Sequence, residues 1–137
     1  MSTSERKTQK AAEKWGDAAE AGFQTLPDIL LKKQVELGLS ATDMLVLMNI
    51  TMHWWYQEQR PFPRTKTIAD RMGCDSRTVQ RSLRKMTDLG LITRMSETDE
   101  RGDIRYVVDL ENLVAKLSKF ARTDEAFLAR QRRKEAA

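Results

Sequence analysis

Thiol and imidazole are scarce in this chain: 137 residues include one cysteine, Cys74, and one histidine, His53. A lone cysteine closes no internal disulfide, which fits a reducing cytoplasm, and Cys74 reads best as a small apolar side chain in a turn. His53 has no cysteine or histidine partner at ligand spacing, so no metal site is expected. Glycine-rich phosphate loops and nucleophile motifs are missing as well. Acid pairs such as Asp99 and Glu100 lie in a solvated turn with no pocket around them. The chain does not read as an enzyme, and no cofactor or small-molecule effector is expected. No run approaches the ~20 apolar residues of a membrane span. The polar opening STSERKTQK has no apolar signal segment, so neither export nor a membrane partner is expected.

What the chain does have is positive charge in one place. The formal net charge is +4. Between Arg60 and Arg94 nine basic residues (Arg60, Arg64, Lys66, Arg71, Arg77, Arg81, Arg84, Lys85, Arg94) face three acids (Asp70, Asp75, Asp88), a local excess of six that leaves the remainder at −2. Charge concentrated on one unit is the electrostatic footprint of a nucleic-acid partner.

That unit has an organisation. Thr65 to Leu91 reads as two short helices and a tight turn. Ile68, Ala69 and Met72 supply the apolar face of the first helix, and Ala69 lets the second cross closely. Gly73 suits the left-handed residue that ends it. Asp75 can cap the second helix, with Cys74 and Val79 as a hydrophobic staple. Val79, Leu83, Met86 and Leu89 then form one stripe. At about 100° per residue, Arg77, Arg81 and Arg84 lie roughly opposite Val79, flanked by Thr78, Gln80 and Lys85. Guanidinium groups in a row match phosphates and the guanine edge in a major groove. The bland alternative is a solvated helix face that happens to be rich in arginine.

The stretch IADRMGCDSRTVQRSLRKMTDLGLITR, with its Ala-x3-Gly-x5-Val-x3-Leu spacing and its Leu-Gly-Leu-Ile exit, resembles the DNA-binding core of winged helix-turn-helix proteins. The preceding FPRTKTIA is similar to bacterial, plasmid and phage regulators and replication initiators with this domain. The resemblance implies a mainly α fold with a small β-hairpin wing and helical extensions at both ends. It implies base reading in duplex DNA by Ser76, Arg77, Thr78, Gln80 and Arg81, at the exposed start of the second helix. Arg64, Thr65, Lys66, Arg84 and Lys85 at the motif's edges are expected on phosphates. Arg64 and Thr65 are equal candidates for the cap of the first helix.

Around this core the reading assigns residues 1–24 to a polar arm, 25–109 to the winged domain and 110–137 to a C-terminal helical extension. The arm is expected to be disordered over 1–9; Lys10 to Ala21 has helical composition, weakened by Gly16. Pro27 suits the first turn of a helix running to about Leu37, with Gly38 at its end. Ser40 and Asp43 form an acid version of the capping box. The helix they start runs to about Gln57 and is apolar nearly all round. Its methionine and tryptophan read as core rather than as a ligand pocket. Arg60-Pro-Phe-Pro breaks it and forms a short extended piece.

Strands are expected at Leu91–Ser96 and Ile104–Val108, joined by a turn in which Gly102 takes positive φ. Ile104, Tyr106 and Val108 alternate as on a half-covered hairpin. On this wing lie Arg94, Arg101 and Arg105. Its tip is crowded with Glu97, Asp99, Glu100 and Asp103, so Arg101 is the one credible groove probe. Asp109 can cap a helix over Leu110 to Phe120, and Thr123 a final one that carries Phe127 and Leu128 before the basic tail Arg130-Gln-Arg-Arg-Lys. Leu110, Leu113, Leu117 and Phe120 form a seam for one partner, either the domain itself or a second copy. Trp15 and Phe23 in the arm are the other candidates for a homodimer contact.

The function expected is sequence-specific double-stranded DNA binding by a cytoplasmic, nucleoid-associated homodimer, leaning to transcriptional regulation. Origin binding in a plasmid or phage replication system is the alternative. A winged helix used as a protein-interaction module is the reading of another class, and it would need no arginine stripe.

Overall fold

Gly16, with φ of 60°, divides the N-terminal segment: residues 10–15 are helical and a four-residue helix follows at Asp17–Glu20. The computed structural model describes residues 10–137, and the arm expected over 1–9 lies outside them. After this segment come α1 (Asp28–Lys32), α2 (Ala41–Thr51), α3 (Thr65–Met72), α4 (Ser76–Asp88), β1 (Thr93–Thr98), β2 (Ile104–Asp109), α5 (Glu111–Ala121) and α6 (Glu125–Ala136). The architecture is a winged helix-turn-helix, mostly helical with one antiparallel hairpin, as the sequence implies.

Two helices stop earlier than their composition predicts. Pro27 stands at the N-cap rather than in the first turn of α1, and α1 ends at Lys32 instead of Leu37. Leu37 and Leu39 are both buried. Turns occupy 33–38 and close at Gly38, whose φ is 83°. Likewise α2 ends at Thr51 instead of Gln57. The Gln24 amide donates to the Met48 carbonyl at 3.0 Å and accepts from the Thr51 hydroxyl at 2.7 Å, holding the last turn of α2 to the incoming chain. The backbone then tightens into i→i+3 bonds at His53 and Trp54.

The capping box at the head of α2 is present. The Asp43 N–H donates to Ser40 Oγ at 3.1 Å and the Ser40 N–H to the Asp43 carboxylate at 2.9 Å. Gly73 ends α3 in the left-handed region, φ 65°, where a Cβ would be strained. Asp75 caps α4 by accepting the Arg77 N–H at 2.9 Å, and Cys74 packs half-buried against the core.

The core joins α1 to α5 with the base of the hairpin. Leu47, Ile50, Val79, Met86 and Ile92 lie at its centre, each sealed from solvent. A fully buried side chain of this size contributes about 1.5–3 kcal/mol. Leu110, Leu113 and Leu117 belong to the same core and Phe120 packs half-buried against it. Of the two partners the seam left open, the domain itself takes it: α5 spends its stripe on α1 and the domain's own interior. The core therefore continues past the boundary expected at residue 109.

The hairpin pairs Thr93 with Asp109 through Thr98 with Ile104. Leu91 and Ile92, expected in the strand, precede it as buried plugs. The expectation of an apolar face at Ile104, Tyr106 and Val108 holds only at Val108. Ile104 and Tyr106 are 68% and 77% exposed because the wing projects beyond the core. Asp124, not Thr123, caps α6. Asp109 accepts the Glu111 N–H at 2.9 Å, at the head of α5. Among the described residues no helix is long and apolar enough to cross a membrane, and no cluster of ligating side chains could hold a metal ion.

Candidate nucleic-acid interface

The helix α4 divides as its sequence does. Val79, Ser82, Leu83 and Met86 are buried, whereas Arg77, Gln80, Arg81 and Arg84 are exposed. Ser76 and Thr78 are half-buried at its first turn. Leu89, expected on the buried stripe, is 37% exposed; it lies beyond the last turn, against Gly38.

Ser82 is a polar residue on the buried face, and it has a reason to be there. Its hydroxyl donates to Asp43 Oδ1 at 2.6 Å, while Lys85 Nζ donates to Asp43 Oδ2, also at 2.6 Å. Asp43 is only 3% exposed. Burial pushes its carboxyl pKa up, but the bonds from Lys85, Ser82 and Ser40 outweigh that and bring it from 3.8 down to about 2. One carboxylate thus starts α2 and anchors α4 to it. The sequence reading found the capping role and missed the anchor, for which Ser82 amid Val79, Leu83 and Met86 was the available signal. Lys85, expected on phosphate, has its ammonium engaged here.

The other expected phosphate residues converge. Arg64, Lys66 and Arg84 line one cleft of about 800 Å³ between the head of α3, α4 and the hairpin, together with Gln80, Arg94 and Tyr106. Among the described residues no carboxylate lines it. Arg64 occupies the N-cap position of α3, without a side-chain cap bond, and Thr65 is the first helical residue. The first N–H groups of α3 thus open at the cleft's rim beside the cations.

The wing arginines do not act together. By register Arg94 shares one face of the hairpin with Ser96, Tyr106 and Val108, and this is the cleft side. Arg105 shares the opposite face with Glu97 and Asp109. There it approaches Glu97 at 3.7 Å and stacks over the Phe62 ring at 4.8 Å. Arg101 is exposed at the tip.

The acids crowded at the tip are partly committed. Asp99 accepts the N–H groups of Arg101 and Asp103, both at 2.9 Å, which shapes the turn. Glu97 accepts from Arg60 at 2.9 Å. Arg60 also donates to Asp109 at 2.8 Å. This bond, with the Glu111 N–H, holds the Asp109 carboxyl below its ordinary pKa. Arg60 had not been singled out by sequence beyond its charge.

Trp15 and Phe23 remain exposed, at 66% and 48%, unlike the α5 seam.

The chain matches the DnaD N-terminal domain over residues 26–126. Among solved structures it is similar to a possible transcriptional regulator from Methanosarcina mazei Go1, at 19% identity over 79% of this chain and 85% of that one, with a TM-score of 0.41. It is similar to another transcriptional regulator at 19% identity over 93% of this chain and 92% of that one, with a TM-score of 0.39. No curated protein matches it.

Proposed function

The chain belongs to the family of the DnaD N-terminal domain, and on that premise we propose that it binds double-stranded DNA sequence-specifically, with the start of α4 in the major groove. The family and the fold support DNA binding. The observation that carries the finer reading is the continuous cationic surface. Arg77, Gln80 and Arg81 are exposed along α4, and Arg64, Lys66, Arg84 and Arg94 line the adjoining cleft with no carboxylate among the described residues. Arginine can pair bidentately with guanine and glutamine with adenine, so Arg77, Gln80 and Arg81 are assigned to bases, with Ser76 and Thr78 beside them. The cleft cations are assigned to phosphates, which position the duplex without selecting its sequence. A purely protein-docking winged helix would need no such row of exposed guanidinium groups. The test is competition between duplexes: the chain should prefer one sequence over scrambled duplex, and equal affinity for all sequences would reject base reading.

Membership of a replication-related family favours action at a replication origin over the transcriptional role to which the sequence alone leans. Locating the selected sites in the host replicon tests this: clustering at an origin supports replication, and dispersal among promoters supports transcription. A cytoplasmic, nucleoid-associated location goes with either role.

One recognition helix covers few base pairs, so a homodimer reading two half-sites about one helical turn apart remains part of the proposal. With α5 committed to the core, Trp15 and Phe23 are the surviving contact residues. Light scattering should give a dimer mass at tens of micromolar and a lower mass for Trp15→Ala with Phe23→Ala. A monomer with and without duplex would reject it.

A further inference from the structure

The segment 60–63 runs along the open edge of β2 and reaches the rim of the cationic cleft at Pro63, while the Arg60 side chain lies on the hairpin face of Glu97 and Asp109. Arg60 reaches two points on that face with one guanidinium. Its Nε donates to Asp109 Oδ2 at 2.8 Å, at the base of β2, and its Nη1 to Glu97 Oε1 at 2.9 Å, far along β1. Asp109 pairs with Thr93 in the hairpin register, so its bond and that to Glu97 are anchored four residues apart, roughly 13 Å along a strand. The Pro61 carbonyl accepts the Val108 N–H at 2.9 Å, and Phe62 supports the Arg105 guanidinium, which itself reaches toward Glu97. Pro61 and Pro63 restrict the backbone between these contacts. The next residue is Arg64, at the head of α3 and on the rim of the cleft. The strap that splints the wing is thus continuous with the first helix of the motif.

We infer that Arg60 is a positioning residue for DNA binding: without facing the duplex, it fixes the hairpin against the head of α3, so that Arg94 is held across the cleft from Arg64, Lys66 and Arg84. This rests on the DNA reading above. A planar, five-donor guanidinium can bridge two carboxylates in one fixed geometry, and an ammonium cannot. Without the splint the wing still folds, since Leu91, Ile92, Val107 and Val108 keep its base buried. Its distal half is then free to swing, and Arg94 no longer meets phosphate at a set distance.

The test compares Arg60→Gln, Arg94→Gln and the double variant in duplex binding across a salt series, with thermal melts to verify folding. Each single variant should lower the log–log salt slope by about one phosphate contact, and the double variant should lose no more than either single one. Arg60→Lys should recover only part of the loss. A second readout needs no DNA. Spin labels at Asp70→Cys and Thr98→Cys, in a Cys74→Ser background, should show a distance distribution that broadens when Arg60 becomes Gln. An unchanged distribution overturns the splint. A broadened distribution with additive binding losses, or with an unchanged slope for Arg60→Gln, overturns its role in positioning Arg94. If the unsubstituted chain binds no duplex, the DNA reading fails and this role with it, whatever the labels show.

Discussion

Asp43 and Arg60 each join two elements through one charged group, one beneath the recognition helix and the other behind the wing. Asp43 is 3% exposed and takes three partners from α4 and its own cap. Arg60 keeps 39% of its side chain exposed and grips two carboxylates that are themselves partly wet. In the buried case, removing the carboxylate strands polar partners where water reaches them poorly, so the cost falls on folding. In the wetter case solvent replaces what is lost, and pairs of this kind contribute little to stability. What the outer group supplies is geometry. The helix proposed to read bases is held by a stability device, and the wing proposed to touch backbone by an orientation device.

The comparison breaks most readily at Asp43. Asp43→Ala removes the cap acceptor and leaves Ser82 and Lys85 unpaired. Lys85 can regain water because 47% of its side chain is exposed, so the expected loss is about 3 kcal/mol rather than the upper end for a buried pair. Urea denaturation measures it, and a loss equal to that of an exposed pair would show the anchor to be ornamental.

Somewhat smaller is the pH effect at the same residue. The Asp43 carboxyl has a folded pKa of about 2 against 3.8 ordinarily. A depressed acid contributes stability that is present above its unfolded pKa and is lost as pH falls through the folded one. The expected contribution is about 2 kcal/mol, full above pH ~5 and fading between about pH 4 and pH 2. Denaturation curves at pH 6 and pH 2.5 should show this loss in the wild type in excess of that in Asp43→Asn. Equal losses would contradict the assignment.

Arg60→Gln sharpens the contrast from the other side. Its unfolding midpoint should stay close to that of the wild type while its affinity for duplex falls. A midpoint shift rivalling that of Asp43→Ala would erase the distinction between the two devices.

The smallest expected difference separates two neighbours on α4. Arg84→Gln should reduce the salt slope of duplex binding by about one. Lys85→Gln should destabilise the fold and leave the slope unchanged, because its ammonium is bonded to Asp43. Equal slope changes would return Lys85 to the phosphate set.

Local chemistry explains what could be read in advance. Gly73, Asp75, Ser40 with Asp43 and Gly102 each act through backbone within a few residues, and each stands where its type predicted. The stripe of α4 was legible because helical period alone separates Val79 from Arg77 and Arg81. What failed depended on partners distant in the chain. The early end of α2 involves Gln24, more than twenty positions away. The second use of Asp43 involves residues about forty positions away. The α5 seam looked the same whether it met another subunit or α1. The two strand arginines of the wing looked equivalent until the register placed Arg94 and Arg105 on opposite faces.

The central claim is that the exposed start of α4 reads bases, and selection of bound sequences from a random duplex library tests it most directly. The wild-type chain should yield a defined consensus. Arg77→Ala, Gln80→Ala and Arg81→Ala should each relax one position of it at a cost of about 1–3 kcal/mol, while Arg84→Gln weakens binding and keeps the consensus. The same consensus and affinity from all three α4 variants would show that this helix is not the reader.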